Sequence, residues 1–324
     1  MSVDTKNYKQ WKVDLYRWAS VDSFSSAISI NDGIHVVKLD SGVEIDLYVK
    51  GNPFDRSSKS LLTFFSGAVT SRKAKVGPFF SGLGIANQLN LPVIAIADPG
   101  IESSMSVNIA WYTGGPQHFV QDGIAAILDS LQRRAERELL LVGGSGGGFA
   151  ALYFASRLRN KCSVFVWNPQ TDVFEYLEGF VKAYMNGLFG YSNASLSGDD
   201  WISRTRKRAN GHASLTVLDH QLSSAPTRLF YLQNATDWHA EKHLKPFLKS
   251  NEFTRTDHGI YLTDDRHVCL VAHAADGHLP PPIHVLENVI ELMGDPAVSA
   301  VEVARKLIAE QPIAASDFST LPLL

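Results

Sequence analysis

Cysteine is scarce in this chain, which has only Cys162 and Cys269 among its 324 residues. Both lie in apolar, strand-like runs, so we interpret them as small buried side chains, and a disulfide framework is not supported. The sequence also lacks an apolar run long enough to cross a membrane. Residues 1–18 are polar and mixed in charge, without the apolar segment of a signal peptide. We therefore expect a cytoplasmic protein.

An excess of one charge is lacking as well. Lysine and arginine total 30 and aspartate and glutamate 33, for a formal net charge of −3. This balance gives no basic surface of the kind that binds nucleic acid, so we expect no nucleic-acid partner. The scattered histidines form neither an H-E-x-x-H motif nor a Cys/His quartet, and we expect neither a metal nor a cofactor. Nothing in the sequence indicates an oligomeric state.

Glycine, in contrast, is concentrated between two apolar runs. The short aliphatic run 139–142 is typical of a buried strand and 149–158 of a helix packed on a sheet. Between them, Gly143-Gly-Ser145-Gly-Gly147 has the G-x-S-x-G pattern of a nucleophile elbow, a strained turn that exposes a serine above a sheet. Side chains at positions 143 and 147 would collide where strand and helix meet. Ser145 is therefore the predicted nucleophile.

A glycine-rich turn after a strand can also hold phosphate. A P-loop is excluded because no Lys followed by Ser or Thr comes after the glycines. Gly146-x-Gly148-x-x-Ala151 does fit the looser dinucleotide pattern, which requires an acidic residue about 20 positions further on. The next strand ends instead in Asn168-Pro169. Nucleotide binding, or a purely structural turn, is the alternative interpretation.

The order of the elements predicts an α/β fold. Two alternating runs, 34–40 and 43–49, flank Ser41-Gly42 and form an antiparallel hairpin. Strands then alternate with helices, which favours a mostly parallel central sheet with helices on both faces. The predicted strands are residues 60–66, 92–97, 138–143, 162–167, 228–233 and 268–273, and the predicted helices include 78–89, 121–134 and 147–159.

A long insertion interrupts this alternation. We assign residues 1–168 and 223–324 to the core and 169–222 to an inserted helical cap region. Apolar residues at helical spacing predict one amphipathic helix of about four turns; they are Val173, Phe174, Leu177, Phe180, Val181, Tyr184, Met185 and Leu188. This stripe either packs the insertion on the core or lines an acyl or sugar pocket. A basic run at 204–208 either is solvated or attracts an anionic substrate.

A serine hydroxyl needs a histidine to take its proton, and the histidine needs a carboxylate to orient it. After the strand 228–233 comes Asp237, and after the strand 268–273 comes Asp276-Gly277-His278, in the order acid then base. We therefore assign Asp237 as the acid and His278 as the base. The alternatives are Asp172 or Asp257 for the acid and His239, His243 or His273 for the base. We expect His239 and His243 near the surface and His273 within the strand.

An oxyanion requires two hydrogen-bond donors. One is the backbone N–H after the nucleophile, here that of Gly146, at the positive end of the predicted helix. The second is expected in the loop after the strand 60–66, where Gly67 and Ala68 allow the backbone to approach a bound carbonyl closely.

The elbow at 143–147, with Asp237 and then Asp276-Gly277-His278, resembles the α/β-hydrolase superfamily over residues 34–294. The chain has Ser66-Gly67-Ala68 where lipases have His-Gly-Gly-Gly. The segments 97–99, 111–112 and 121–123 are similar to hydrolase-like proteins of bacterial surface-polysaccharide and accessory-secretion systems, some of which handle acetyl groups.

Three functions are compatible with these residues. The first is a serine-dependent acyl hydrolase, esterase-like, that forms an acyl-enzyme at Ser145 and acts on a small-molecule or glycan acyl ester. The second is an acyltransferase that passes the acyl group to a sugar or protein hydroxyl. The third is a non-catalytic, hydrolase-like or nucleotide-binding scaffold.

Overall fold

The computed structural model describes residues 5–54, 58–220, 222, 227–310 and 313–316. In this part of the chain, eleven strands form one sheet in the order β1-β2-β3-β5-β4-β6-β7-β8-β11-β10-β9. The strands are β1 (Leu15–Trp18), β2 (Gly33–Lys38), β3 (Glu44–Lys50), β4 (Ser60–Phe65), β5 (Val93–Ile96), β6 (Glu138–Gly144), β7 (Cys162–Trp167), β8 (Thr227–Asn234), β9 (Thr254–Asp257), β10 (Ile260–Asp264) and β11 (His267–Ala272).

The centre of the sheet is parallel. Strands β5, β4, β6, β7, β8 and β11 all run in one direction, and β2 and β3 form the antiparallel hairpin that the sequence predicts. The hydrophobic strands of this centre are buried on both faces, as a parallel sheet covered by helices requires. The prediction of a mostly parallel α/β sheet is therefore confirmed.

Helices cover the two faces of the sheet. Along the chain they are α1 (Val21–Ser25), α2 (Leu83–Gln88), α3 (Gln121–Ala135), α4 (Gly146–Arg157), α5 (Glu178–Phe189), α6 (Trp201–Ala209), α7 (Leu244–Ser250), α8 (Ile283–Met293) and α9 (Ala300–Glu310). One hydrophobic core packs α1, α3, α4 and α5 against the sheet, and a second core packs α2, α8 and α9 against it. Both cysteines are buried and free.

The prediction of a single helix over residues 173–188 is wrong for the residues before Glu178. A short 3₁₀ helix at Val173–Glu175 is capped by the Asp172 carboxylate, which accepts the Phe174 N–H at 2.8 Å, and α5 begins only at Glu178. Within α5 the stripe packs on the core, where the buried Tyr184 hydroxyl lies 2.6 Å from the Thr113 hydroxyl and donates to the Gly114 carbonyl at 2.9 Å.

Other boundaries also differ from the prediction. Helix α2 is shorter than residues 78–89, because Gly82, with φ of +82°, turns the chain immediately before it. Strand β11 ends at Ala272, and His273 is exposed beyond it rather than inside the strand. Strand β9 is polar and fully exposed, so no hydrophobic pattern indicates it.

The basic run lies on α6 and is mostly engaged in local contacts. Arg206 pairs with Asp172 at 2.6 Å, and Arg204 pairs with Asp200. The Arg208 guanidinium lies 5.6 Å from the centre of the Tyr191 ring. These partners favour a structural role for the run over attraction of an anion. In the described part of the chain, no helix is both long enough and apolar enough to cross a membrane.

Candidate active site

The turn between β6 and α4 places Ser145 at its apex. Its backbone has φ of +54° and ψ of −122°, a strained conformation for a residue with a side chain. A Cβ at Gly143 would lie 2.3 Å from the Gly147 carbonyl group, and one at Gly147 would lie 2.3 Å from the Phe65 carbonyl oxygen. The glycines are therefore required because strand, turn and helix pass too close for a methyl group.

A chain of two hydrogen bonds leads from Ser145 to a carboxylate. The Ser145 Oγ lies 2.9 Å from His278 Nε2, and His278 Nδ1 lies 2.8 Å from Asp237 Oδ2. Because an ionised carboxylate only accepts hydrogen bonds, His278 carries its proton on Nδ1. Nε2 then presents a lone pair to the serine hydroxyl, which is the arrangement needed to remove its proton.

Asp237 is held ionised by its donors. Burial by itself would raise the pKa of this carboxyl, which is 1% exposed, but hydrogen bonds from His239 and His278 outweigh burial and keep the pKa below its usual range. His239 donates to Oδ1 from its backbone N–H at 2.9 Å and from Nδ1 at 2.8 Å, and Gln233 Nε2 donates to Oδ2 at 3.2 Å. The carboxylate is thus fixed on both oxygens.

The expectation that His239 and His243 lie near the surface is wrong. They are 1% and 0% exposed, because the 3₁₀ turn after Asp237 folds inward. Burial lowers the pKa of both side chains, that of His243 to about 3. The His239 ring packs on that of His278, with 3.9 Å between ring centres. His239 is therefore a neutral neighbour of the same carboxylate, a role that its sequence position does not indicate.

Asparagine side chains hold the turn that carries His278. The Asn234 amide donates to the carbonyls of Gly277 and Leu279 at 2.9 and 2.8 Å, and the Asn168 amide donates to Leu279 at 3.1 Å. Gly277, with φ of +53°, allows the sharp reversal that the Asp-Gly pair predicts. The ends of β7 and β8 thereby fix the imidazole relative to the serine.

Gln170 also contacts the serine, and sequence analysis missed it. Its Nε2 donates to Ser145 Oγ at 2.9 Å, its Oε1 accepts from the indole N–H of Trp111, and its backbone N–H donates to the Ser145 carbonyl at 3.1 Å. A glutamine three residues after a predicted strand carries no motif, and its only local signal is its place directly after Asn168-Pro169 at the strand end.

The residues predicted to supply the oxyanion donors lie close to Ser145. Gly146 is the first residue of α4, where the helix itself provides no acceptor for the backbone N–H. A Cβ at Gly67 would lie 3.2 Å from the Gly144 carbonyl oxygen and 3.8 Å from the Ser145 Cβ, so this backbone passes close to the nucleophile. Ala68 lines the same cavity as Ser145.

Tyr112 supports the loop that contains Gly67. Its hydroxyl accepts the Ser66 N–H at 2.6 Å and donates to the Ile96 carbonyl at 2.7 Å. The buried Asp98 carboxylate accepts three backbone N–H groups, from Gly100, Ala110 and Tyr112. Burial raises the pKa of Asp98 to about 6, although these N–H groups oppose the rise. The segments 97–99 and 111–112 therefore form one support behind the loop.

A cavity of about 630 Å³ opens beside Ser145 and His278. Its wall is largely apolar and aromatic and includes Phe64, Phe65, Ile85, Trp167, Tyr176, Phe180 and Leu286. Tyr176 and Phe180 belong to the segment 169–222, which the sequence predicts to be an insertion, so the aromatic stripe contributes to the cavity as well as to the core. A volume of this size admits a small organic group.

The remaining candidates lie elsewhere or have other partners. Asp172 pairs with Arg206, and Asp257 lies on the exposed strand β9. Asp237, His239 and His278 place three potential metal ligands within 4.8 Å of one another. Both imidazoles, however, direct an Nδ1–H at the carboxylate, and a metal ion would have to displace these protons.

Comparisons with known proteins show similarity only in structure. No protein-family model and no curated protein sequence matches the chain. Dipeptidyl peptidase 4 of Porphyromonas gingivalis superposes with a TM-score of 0.51 at 12% identity, covering 82% of this chain and 36% of that one. A puromycin hydrolase gives a TM-score of 0.48 at 14% identity, covering 91% and 41%. The capsule O-acetyltransferase of Neisseria meningitidis serogroup A gives 0.48 at 12% identity, covering 84% and 98%.

This chain thus spans less than half the length of the first two proteins. The similarity at a TM-score of 0.51 agrees with the strand order, the parallel centre of the sheet and the helices on both faces. The chain has the α/β-hydrolase fold.

Proposed function

We propose that this protein is a serine-dependent acyl hydrolase that works through an acyl-enzyme at Ser145. The hydrogen-bonded chain from Asp237 through His278 to Ser145, at the edge of a cavity, carries the proposal. A nucleophile, a base and an orienting carboxylate within hydrogen-bond distance of one another are the parts that acyl transfer requires.

In the acylation step, the Ser145 Oγ attacks the carbonyl carbon of the ester while its proton passes to His278 Nε2. The ionised Asp237 stabilises the imidazolium that forms. The negative charge on the former carbonyl oxygen is stabilised by the backbone N–H of Gly146 and the backbone at Gly67 and Ala68. When the C–O bond to the leaving alcohol breaks, His278 gives that alcohol the proton.

The cavity supports a substrate with an apolar acyl or aromatic portion. Its aromatic wall excludes water from one side of Ser145, and Tyr176 and Phe180 bring the insertion to this wall. We therefore propose that residues 169–222 serve as a cap over the core, and that the cap and the core together select the acyl group. The substrate class is a small-molecule or glycan acyl ester.

An adjoining cleft favours a second candidate, transfer of the acyl group to a hydroxyl acceptor. This cleft of about 530 Å³ shares Ser71, Asn108 and Phe180 with the cavity beside Ser145. One side of the cleft is polar and includes Lys73 and Ser106. An acceptor bound there would compete with water for the acyl-enzyme. Hydroxyl acceptors that increase acyl turnover and yield a new ester would favour transfer, and hydrolysis alone would favour the first candidate.

The test is labelling of the purified protein with a fluorophosphonate probe, which phosphonylates an activated serine. We expect rapid labelling of the wild type, none of Ser145→Ala, and labelling slowed by at least about 10³-fold in His278→Ala. Ser156→Ala is the matched control, because Ser156 lies on α4 with its hydroxyl bonded to the Tyr153 carbonyl. Labelling that persists in Ser145→Ala would overturn the proposal.

A further inference from the structure

Two side chains, not one, hold the Ser145 hydroxyl. Its Oγ lies 2.9 Å from His278 Nε2 and 2.9 Å from Gln170 Nε2. Gln170 is 0% exposed, so its amide exchanges no hydrogen bonds with bulk water. A buried amide N–H without an acceptor is costly, which makes this contact energetically significant.

Trp111 determines which end of the Gln170 amide faces the serine. An indole N–H can only donate, and the Trp111 N–H bonds Gln170 Oε1. The amide oxygen is therefore turned towards Trp111, and the NH₂ group towards Ser145. Trp111 is itself buried and held by edge contacts with the rings of Tyr176 and Tyr184, at 5.9 and 5.4 Å between centres.

These contacts define the role of the proton and of each lone pair of the Ser145 Oγ. One lone pair accepts the Gln170 N–H, and the hydroxyl proton points to His278 Nε2. The second lone pair is left to attack a carbonyl carbon. Gln170 thus stabilises Oγ when it carries negative charge, and that charge develops when Oγ leaves a carbonyl carbon.

We propose that Gln170 is a catalytic residue that assists the departure of the Ser145 Oγ during deacylation; this rests on the proposed acyl-enzyme mechanism. Water adds to the acyl carbonyl carbon while its proton passes to His278 Nε2. The bond between that carbon and Oγ then breaks, its electron pair moves to Oγ, and Oγ takes the proton from His278. The Gln170 N–H donates to Oγ throughout this bond cleavage.

The same contact shortens the life of the acyl-enzyme. In the acyl-enzyme, Oγ is an ester oxygen and a weak acceptor, so the buried Gln170 N–H loses most of its hydrogen bond. The bond is regained as Oγ becomes charged in the transition state of deacylation, where bonds to charged groups are stronger. Removing the N–H therefore slows deacylation more than acylation.

Gln170→Met is the test, because methionine is unbranched and of similar length but has no N–H. Gln132→Met is the matched control, since Gln132 is a buried glutamine on α3 whose Nε2 donates to the Lys161 carbonyl. The acylation burst and the later steady rate of p-nitrophenyl acetate hydrolysis are measured by stopped flow. We expect the steady rate of Gln170→Met to fall about tenfold while the burst rate changes less than threefold. Gln132→Met should change neither rate.

Trp111→Phe provides a second variant, because it keeps a ring but removes the N–H that orients the amide. We expect the same selective loss in the steady rate, smaller in size. Equal losses in burst and steady rate in both variants, or no loss in either, would overturn the role of Gln170. Absence of any burst that depends on Ser145 would instead contradict the acyl-enzyme itself, so the two failures are distinguishable.

Discussion

At the scale of single residues, the site depends on how many donors converge on Asp237. Both of its oxygens are occupied, by His239 and by His278, and Gln233 adds a third side-chain donor. These bonds keep the carboxylate ionised and its orientation fixed, which in turn sets the tautomer of His278. Sequence analysis could select Ser145, Asp237 and His278 as candidates because each follows a predicted strand in a characteristic order.

Gln170 and His239 could not be found in the same way. Neither belongs to a motif, and each acquires its role from contacts made in the folded chain. Gln170 accepts a hydrogen bond from Trp111, which is distant in sequence. His239 is turned inward by a 3₁₀ helix of three residues, which is too short to produce a periodic pattern in the sequence. Local sequence therefore indicates residues that belong to a motif better than residues whose contacts arise only in the folded chain.

His243 gives a prediction for the pH dependence of stability. It is fully buried and neutral, its Nδ1 accepts the Thr171 N–H at 3.2 Å, and burial lowers its pKa to about 3. In the unfolded chain the pKa is about 6.5, so acid favours the unfolded state. His243 thus lowers the free energy of unfolding progressively as the pH falls from about 6.5 towards 3.

His243→Asn keeps an acceptor for Thr171 but does not titrate. Between pH 7 and pH 5 we expect the free energy of unfolding to fall by about 2 kcal/mol less in this variant than in the wild type. Urea unfolding at the two pH values measures the difference. His284→Asn, at an exposed position on α8, is the control and should retain the wild-type dependence. If the free energy of unfolding of His243→Asn depended on pH as that of the wild type does, His243 would not be buried in its neutral form.

At the scale of elements, the elbow between β6 and α4 tolerates no side chain at its glycines. We expect Gly147→Ala to lower the free energy of unfolding by about 1–3 kcal/mol and to displace Ser145, because the new Cβ would meet the Phe65 backbone rather than a movable side chain. Gly84→Ala on α2 faces open space and should be neutral or stabilising by up to about 1 kcal/mol. Denaturant unfolding of both variants tests this difference, and equal effects would contradict the account of the elbow.

The elements that sequence predicts well are the buried ones. Strands β4, β6 and β7 are mostly apolar and almost entirely buried, and their apolar runs identify them. The sequence predicts the start of helix α5 too early because apolar residues continue at helical spacing through the 3₁₀ turn. The cap at Asp172 and the extended Tyr176 interrupt the helix there. The exposed β9 carries no apolar alternation at all.

At the scale of the whole molecule, the sheet brings the three catalytic candidates to one edge. Strands β6, β7, β8 and β11 are consecutive and parallel, so their carboxyl ends lie side by side. Ser145 follows β6, Asp237 follows β8 and His278 follows β11. The two hydrophobic cores lie between the sheet and the helices on its faces. The cavity lies at the edge formed by the carboxyl ends of the strands, where ligand sites of open α/β sheets are commonly found.

The acyl-enzyme at Ser145 is the central claim, and mass spectrometry of the acylated peptide tests it most directly. The protein is mixed with p-nitrophenyl acetate, quenched in acid during the burst, digested and mapped. Our account predicts one acetyl group on the peptide that contains Ser145, increased in Gln170→Met at steady state and absent from Ser145→Ala. Release of p-nitrophenol with no acetyl group on Ser145, or with the acetyl group on another residue, would contradict it.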